Sequence, residues 1–222
     1  PGWTYGFAEL DPGQAEAIAA ARFVANPGCY PTGFLALVRP LVRAGLVPPD
    51  WPFSVNAVSG YSGGGKAMIA DFENGDETTA YRAYALDLDH KHVPEMQKHA
   101  RIEHPPIFTP SVARTYRGMI VEVPLALHAL PRRPTIETLR NALAEAYAAS
   151  PVIRVAEPGT RLIRIEDDAG TDRMTLHIGG DPATGQARLI ATLDNLGKGA
   201  GGAAVENLNI MAGLDPTAGL IL

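Results

Sequence analysis

Alternation between strand-like and helix-like apolar spacing is the feature of this 222-residue sequence that most restricts its fold. Short runs with apolar residues at every second position alternate with longer runs whose apolar residues recur every three or four positions. This alternation is typical of α/β and α+β folds. We predict strands at 23–25, 53–58, 118–127, 152–155, 174–178 and 187–193, and helices at 13–22, 32–44, 67–73, 94–99, 134–150 and 203–213.

Length and charge narrow the class of protein. The chain is long enough for one large domain or two small ones with a buried core. A net charge of −5 without a lysine- or arginine-dense stretch argues against nucleic acid and anionic membranes as partners. No apolar run approaches the length of a membrane span, and we see no signal or lipidation segment, so we expect a cytoplasmic protein. Because the chain opens at Pro1, we also expect it to be a fragment.

A single cysteine, Cys29, is the strongest chemical signal. It lies in the segment NPGCYPT (26–32), between a predicted strand and a predicted helix. Free amide groups and the helix dipole at a helix start stabilise a thiolate, so we expect a lowered pKa and a nucleophilic role. The same amides could donate hydrogen bonds to a developing oxyanion. One cysteine excludes an internal disulfide and a cysteine-cluster metal site.

A nucleophilic thiol needs a proton acceptor, and two histidines are the best candidates. His90 and His92 lie two positions apart, and Glu95 follows where it could orient an imidazole. The residues leave open which histidine acts. A zinc site is the competing interpretation, but it lacks a third ligand, so we predict no metal.

Two glycine motifs resemble nucleotide-binding fingerprints but fail on inspection. Residues 60–66 fit the P-loop frame, yet Ala67 stands where a hydroxyl must bind magnesium. Residues 197–202 spell G-x-G-x-x-G, but the chain ends before the further strand and acidic residue that this motif requires. A glycine-rich helix start can still approach a cofactor from another side.

Four segments together resemble one family. These are NPGCYPTG (26–33), VSGYSGGGK (58–66), HKHVPEM (90–96) and DNLGKGAGGAAVENLNIM (194–211). In order and spacing they are similar to the N-acetyl-γ-glutamyl-phosphate reductase family of arginine biosynthesis, particularly its shorter bacterial form. The likeness covers nearly the whole chain, and WTYGFAEL (3–10) also resembles the family's segment before the cysteine.

The resemblance implies a fold like that of glyceraldehyde-3-phosphate and aspartate-semialdehyde dehydrogenases: α/β plus α+β, with the remnant of a Rossmann NADP domain joined to a catalytic and dimerisation domain. It implies that 1–48 is the C-terminal part of the nucleotide-binding domain, that 49–195 is the catalytic domain, and that 196–222 returns to the nucleotide-binding domain. The family's N-terminal half-domain is absent, so this chain alone is expected to be inactive.

The resemblance also implies a mechanism. Cys29 attacks an acyl phosphate, the resulting thioester accepts hydride from NADPH, and His92 or His90 moves protons with Glu95 as the orienting group. The small-molecule product is a semialdehyde, and the protein is a homodimer or homotetramer. The residues implied to contact the cofactor are Asn195, Leu196, Lys198, Gly60, Ser62 and Gly63, and those implied to contact substrate are Asn26, Ser59 and Lys66.

Three alternatives remain open. Within the same fold, the chain could be another acyl-phosphate reductase such as aspartate-semialdehyde dehydrogenase. Cys29 with a histidine could instead form a cofactor-free cysteine hydrolase or acyltransferase, which NADP-dependence would distinguish. The chain could also be an oligomerisation or binding module whose catalytic residues are vestigial.

Overall fold

The structure, a computed structural model, describes residues 2–222. Six helices and nine strands make up this part of the chain. The helices are α1 (Gln14–Ala19), α2 (Cys29–Arg43), α3 (Gly65–Asn74), α4 (His92–Ala100), α5 (Ile136–Ala146) and α6 (Gly202–Met211). The strands are β1 (Thr4–Tyr5), β2 (Val24–Ala25), β3 (Ser54–Gly60), β4 (Tyr81–Ala83), β5 (Ile107–Ala113), β6 (Met119–Ala126), β7 (Ile153–Val155), β8 (Met174–Asp181) and β9 (Gln186–Leu193).

A seven-stranded mixed sheet forms the centre of the molecule. Its strand order is β4-β5-β3-β6-β9-β8-β7. The pairs β3–β5 and β7–β8 are parallel, and the other neighbours are antiparallel. β1 and β2 form a separate parallel pair. This mixed arrangement of strands and helices agrees with the predicted fold class.

One face of the sheet carries the core. Alternate residues of β6, among them Met119, Val121 and Val123, are fully buried on this face, as expected when every second side chain of a strand points the same way. Helix α2 packs across β6 and β9 and contacts α4 and α5 on its flanks. Twelve of the fifteen residues of α2 are buried, so the helix that begins at the cysteine is held rigidly against the sheet.

Pro40 lies inside α2 without ending it. Proline has no N–H, so the carbonyl of Ala36, four residues earlier, lacks its helical donor. The hydroxyl of Tyr147, just beyond α5, donates to that carbonyl at 2.9 Å. Pro40 can be recognised in the sequence, but the hydrogen bond from Tyr147 that compensates for it is seen only in the tertiary structure.

Most predicted elements are present with shifted ends, and three strands were missed. β1 and β4 are only two and three residues long, which is too short for a periodic pattern. β5 contains Pro110, which normally argues against a strand. Helix α4 begins at His92, two residues before the predicted start. Thr135 caps the start of α5, because its side chain accepts from the amide of Thr138.

The three predicted parts are in close contact. α1 packs against α6, which brings the two ends of the chain together, whereas α2 packs on the seven-stranded sheet. The proposed division at 48 and 195 stays a prediction. Across residues 2–222, no helix is both long and apolar enough to cross a membrane. The same residues contain no cluster of three or more histidine, cysteine or acidic side chains able to hold a metal.

Candidate active site

Cys29 is the first residue of α2, and Gly28 is its N-cap in an extended conformation. The short strand β2 delivers the chain to this point, and the sheet beneath α2 fixes the direction of the helix. Pro31 lies in the first turn, where its missing N–H would have had no helical partner. Cys29 is partly exposed, so a small molecule can approach this residue at the helix start.

The ionisation of Cys29 differs from the prediction. Burial raises the pKa of the Cys29 thiol to about 11, although the amides of Tyr30 and Cys29 and the cation of Lys91 lower it. The amides at the helix start therefore lower the pKa as predicted, but the desolvation of the thiolate raises it by more. The expected low-pKa thiolate is wrong for this structure, and the thiol is neutral at pH 7.

The imidazole of His92 lies against the peptide that precedes the cysteine. A Cβ added to Gly28 would lie 2.5 Å from Nε2 of His92, so only glycine permits this approach. His92 is 9% exposed. Burial, together with His90 and Lys91, lowers its pKa to about 4. A neutral imidazole at pH 7 can accept a proton, which is what a neutral thiol nucleophile requires.

His90 lies beside His92 and farther from the cysteine loop. The ring centroids are 4.7 Å apart, and Nδ1 of His90 accepts the backbone N–H of His92 at 3.1 Å. Edge-on contacts with Tyr30 and Phe108 hold the His90 ring. Burial and the charge of Lys91 lower its pKa. His90 thus supports the start of α4, while His92 adjoins the cysteine loop.

Glu95 does not orient an imidazole. Its Oε1 accepts the backbone N–H of Gly28 at 2.9 Å and the hydroxyl of Tyr5 at 2.7 Å. Within the described residues, no hydrogen bond joins it to either histidine. The predicted role is therefore corrected: Glu95 holds the peptide in front of Cys29 and links it to β1. Tyr5 was not identified from the sequence, because nothing in its local pattern indicates a partner 90 positions away.

The glycine-rich segment after β9 forms a π-helical turn, Gly197–Gly201, that lies beside the cysteine. A Cβ added to Gly199 would lie 3.0 Å from Cβ of Cys29. The carboxylate of Asp194 accepts the amides of Leu196 and Gly197 and so caps this turn. Of the glycines that failed as a dinucleotide fingerprint, Gly199 packs against Cys29, whereas Gly197 packs against Thr171 and Gly202 against Asp172.

Asn26 ties the cysteine loop to the same turn. Its side-chain amide donates to the carbonyl of Ala200 at 2.9 Å, and its carbonyl accepts from Asn207 at 3.1 Å. Both ends of the Asn26 amide are thus engaged within the protein, although the residue is exposed. The predicted contact with a thioester oxygen is not what this geometry shows.

Lys198 is also placed differently from the prediction. It is 2% exposed, and its ammonium lies 3.0 Å from Glu9 and 2.5 Å from Glu206. Burial alone would lower the pKa of Lys198, but these two carboxylates raise it. A cation enclosed by two carboxylates is not free to contact a cofactor, so the predicted cofactor role of Lys198 is corrected.

Asn195 is 2% exposed and bridges two loops. Its Oδ1 accepts the amide of Gly118 at 3.0 Å, and its Nδ2 donates to the hydroxyl of Ser62 at 2.9 Å. The predicted cofactor contacts of Asn195 and Ser62 are therefore replaced by a bond between them. Leu196 is half-buried, and its amide is taken by the Asp194 cap.

The loop after β3 does not form a phosphate cradle. The amides of Gly60, Tyr61 and Ser62 donate to carbonyls of the β5–β6 turn at 2.9–3.1 Å. Ser59 is buried and donates to the carbonyl of Gly60. Of the predicted residues on this loop, only Gly63 and Lys66 are exposed, so these two alone keep their polar groups accessible to a ligand.

Gly199 and Gly201 of the glycine turn, which are not among the six residues predicted to contact the cofactor, could accommodate a nicotinamide ring. Gly199 and Gly201 carry no side chains, Gly201 is exposed, and Cys29 beside them keeps part of its surface open. A planar ring can approach a backbone only where side chains are absent. The turn is therefore the part of this chain suited to a flat cofactor next to the thiol.

Comparison with known proteins identifies the family of this chain. Residues 29–195 match the family described as "Semialdehyde dehydrogenase, dimerisation domain". N-acetyl-gamma-glutamyl-phosphate reductases of Brucella anthropi and Brucella ovis are 53% identical over 221 residues, covering 96% of this chain and 71% of each relative. The chain belongs to the N-acetyl-γ-glutamyl-phosphate reductase family. The resemblance found in the sequence motifs and the predicted reductase class are thereby confirmed.

Solved structures support the fold of this reductase family member. Aspartate semialdehyde dehydrogenase from Francisella tularensis superposes with a TM-score of 0.66 at 14% identity, over 94% of this chain and 70% of that one. Aspartate semialdehyde dehydrogenase II from Vibrio cholerae gives a TM-score of 0.63 at 18% identity, over 92% and 67%. At such identities the likeness concerns the fold alone, and it confirms the predicted semialdehyde dehydrogenase architecture.

Proposed function

We propose that this protein reduces N-acetyl-γ-glutamyl phosphate to N-acetylglutamate semialdehyde with NADPH, through a thioester on Cys29. The observation that supports the proposal is that three features lie together. They are the partly exposed thiol of Cys29 at a helix start, a neutral imidazole against the cysteine loop, and a glycine turn in contact with Cys29. The relatives named above carry the name of this reaction.

The first step is acyl transfer. The Cys29 sulfur attacks the acyl carbon, the C–O bond to phosphate breaks, and inorganic phosphate leaves while the C–S bond of a thioester forms. Because burial keeps the thiol neutral, its proton must leave as the sulfur attacks. The free amides at the start of α2 provide hydrogen-bond donors for the oxyanion that develops.

We assign the proton transfer to His92 rather than His90. His92 adjoins Gly28, whereas Nδ1 of His90 accepts the His92 amide. A pKa of about 4 leaves the His92 imidazole neutral at pH 7, so its ring is unprotonated when the thiol proton leaves. His92 then returns a proton to the oxygen of the reduced intermediate, which collapses to the aldehyde and regenerates the thiol.

The cofactor supplies hydride to the thioester carbonyl when bound. In this chain the turn Gly197–Gly201 would hold its nicotinamide end, because no side chain of Gly199 or Gly201 blocks the surface beside Cys29. We propose NADP(H) as that cofactor, the acyl phosphate as the small-molecule substrate, and Gly63 and Lys66 as the accessible groups for phosphate.

Replacement of Cys29 by serine in the full-length protein tests the proposal. Reduction of the acyl phosphate should be lost, while the circular dichroism spectrum and the thermal midpoint stay unchanged, because serine fills nearly the same volume. His92→Asn should lower kcat by about 100-fold or more, and His128→Asn, at an exposed position, serves as the control. Near-normal turnover of Cys29→Ser would contradict the thioester.

Substrate and cofactor choice are tested in the same assay. The wild-type enzyme should reduce N-acetyl-γ-glutamyl phosphate in preference to aspartyl phosphate, and NADPH should support a higher kcat/KM than NADH. Preference for aspartyl phosphate would instead indicate that the protein is an aspartate-semialdehyde dehydrogenase. Turnover without any nicotinamide would instead indicate a cysteine hydrolase or acyltransferase.

We also propose a cytoplasmic homodimer or homotetramer. A free catalytic thiol stays reduced in the cytoplasm, and the matched family carries "dimerisation domain" in its description. The sheet face opposite α2 bears a groove of about 1480 Å³ lined in part by Val58, Ile120 and Ile190. Ile120→Arg, at a half-buried position on this face, should lower the mass measured by light scattering, whereas the exposed Leu86→Glu should not.

A further inference from the structure

A buried charge cluster lies directly behind the turn that contacts the nucleophile. Lys198 sits between Glu9, which follows β1, and Glu206 of α6. The ammonium also faces the ring of Phe7 at 5.5 Å. Burial raises the pKa of the Glu206 carboxyl to about 7 even though Lys198 lowers it. Three segments of the chain are thus joined at one buried lysine.

The opposite side of the same turn meets the active site. Gly199, the next residue after Lys198, lies so close that an added Cβ would be 3.0 Å from Cβ of Cys29 and 3.0 Å from the carbonyl of Asp194. The amide of Gly199 donates to that carbonyl at 2.9 Å. At Gly199 the turn therefore lies directly against Cys29, and on its opposite side it is held by the ammonium of Lys198.

We propose that Lys198 is a positioning residue. Its ion pairs with Glu9 and Glu206 hold the π-helical turn against Cys29 and so determine both the position and the burial of the thiol. This inference rests on the proposed function for its kinetic readout. It replaces the sequence-based assignment of Lys198 as a cofactor contact, which its burial excludes.

Two further contacts indicate that loss of Lys198 would displace the turn beside Cys29 without unfolding the rest of the protein. Asn26, three residues before Cys29, donates to the carbonyl of Ala200 in the same turn. The other end of the turn is fixed independently, because Asp194 caps it and is itself paired with Arg117 at 3.1 Å. Loss of the lysine leaves that cap in place and frees the segment next to Cys29.

The test uses the full-length protein with the double variant Lys198→Met/Glu206→Gln, which removes the cation without leaving two buried carboxylates unbalanced. Gly199→Ala disturbs the contact between the turn and Cys29 directly, and it leaves the charges of Lys198, Glu9 and Glu206 in place. Lys98→Met, at an exposed position of α4, is the matched control. Steady-state kinetics give kcat and KM, and peptide mass spectrometry follows alkylation at Cys29 against pH.

We expect kcat of the double variant to fall by about 10- to 100-fold with KM for the acyl phosphate changed by less than about threefold, since misplacement by an ångström is costly. Alkylation of Cys29 at pH 7 should become faster in one exponential phase, because a less buried thiol has a lower pKa. Lower yield of folded protein alone would not produce this opposite pair of changes.

Gly199→Ala should also lower kcat, and it keeps the proposal testable if the double variant does not fold. Wild-type kcat and a wild-type alkylation profile in either folded variant would overturn the positioning role. If the wild-type protein itself does not reduce the acyl phosphate, the proposed function fails, while the alkylation profiles still decide whether Lys198 sets the burial of Cys29.

Discussion

At the scale of single residues, the site depends on glycines as much as on the groups that react. Gly28 admits His92 to the cysteine loop, and Gly199 admits the glycine turn to Cys29. The contact at Gly28 is closer than a Cβ would allow, and the contact at Gly199 is tighter than most Cβ contacts. The groups proposed to react are therefore positioned by residues that have no side chain.

The ionisation of Cys29 gives the first prediction. Because burial raises its pKa to about 11, the thiolate fraction near neutral pH is small and grows with pH. We expect the rate of alkylation by iodoacetamide, without substrate or cofactor, to rise about tenfold per pH unit between pH 7 and 9. A rate already at its plateau at pH 7 would show instead that the helix start outweighs burial.

Gly28→Ala gives the second prediction. The new Cβ would lie 2.5 Å from Nε2 of His92, so the imidazole must move away from the loop. We expect kcat to fall by about tenfold or more, with little change in the thermal midpoint, because an extended N-cap accepts alanine. Gly179→Ala, where an added Cβ meets nothing within 4 Å, is the control, and equal activity of the two variants would contradict the contact.

At the scale of elements, α2 is the component on which the site is built. It begins at Cys29, ends at Arg43 and is buried along most of its length. Its interior proline is compensated by α5 through Tyr147. The helix that carries the nucleophile is thus kept continuous by a hydroxyl supplied from outside it.

Tyr147→Phe tests that compensation. Without the hydroxyl, the buried carbonyl of Ala36 has no donor, and we expect the free energy of unfolding to fall by about 1–3 kcal/mol in urea titrations. In a Pro40→Ala background the helix supplies its own N–H, so the same replacement should cost clearly less. An equal cost in both backgrounds would mean that Tyr147 acts by packing alone.

At the scale of the whole molecule, buried titratable groups make stability depend on pH. The pKa of His92 is lowered to about 4 by burial first, then by His90 and Lys91. The unfolded chain therefore binds more protons than the folded one between pH 6.5 and 4, and stability falls as the pH falls through this range. Glu206, whose pKa is raised to about 7 by burial, contributes in the opposite direction between pH 7 and 4.5.

Comparing the wild type with a His92 variant isolates the contribution of His92 to the pH dependence of stability. Between pH 7 and pH 5, His92 should account for about 1–2 kcal/mol of lost unfolding free energy. We expect His92→Gln to lose less stability than the wild type over this interval by that amount, measured by urea titration at both pH values. Identical losses would show that His92 titrates normally in the folded protein.

Prediction from the sequence succeeded where the signal is local. Apolar spacing together with cap and proline signals predicted every helix over eight residues long and the longer strands, apart from β5 with its Pro110. The Thr135 cap follows from one side chain and an amide three residues away. Motif identity and order were enough to indicate the reductase family, because they need no knowledge of contacts.

The sequence by itself determined the class of fold and the family and pointed to Cys29 as the proposed nucleophile, since periodicity and motifs are properties of neighbouring residues. Only the tertiary structure decided that Glu95 holds the peptide of Gly28, that Lys198 is enclosed by two carboxylates, and that desolvation raises the pKa of Cys29. The physical reason is that hydrogen-bond partners and burial are set by residues far apart in the chain, as with Lys198 and Glu9.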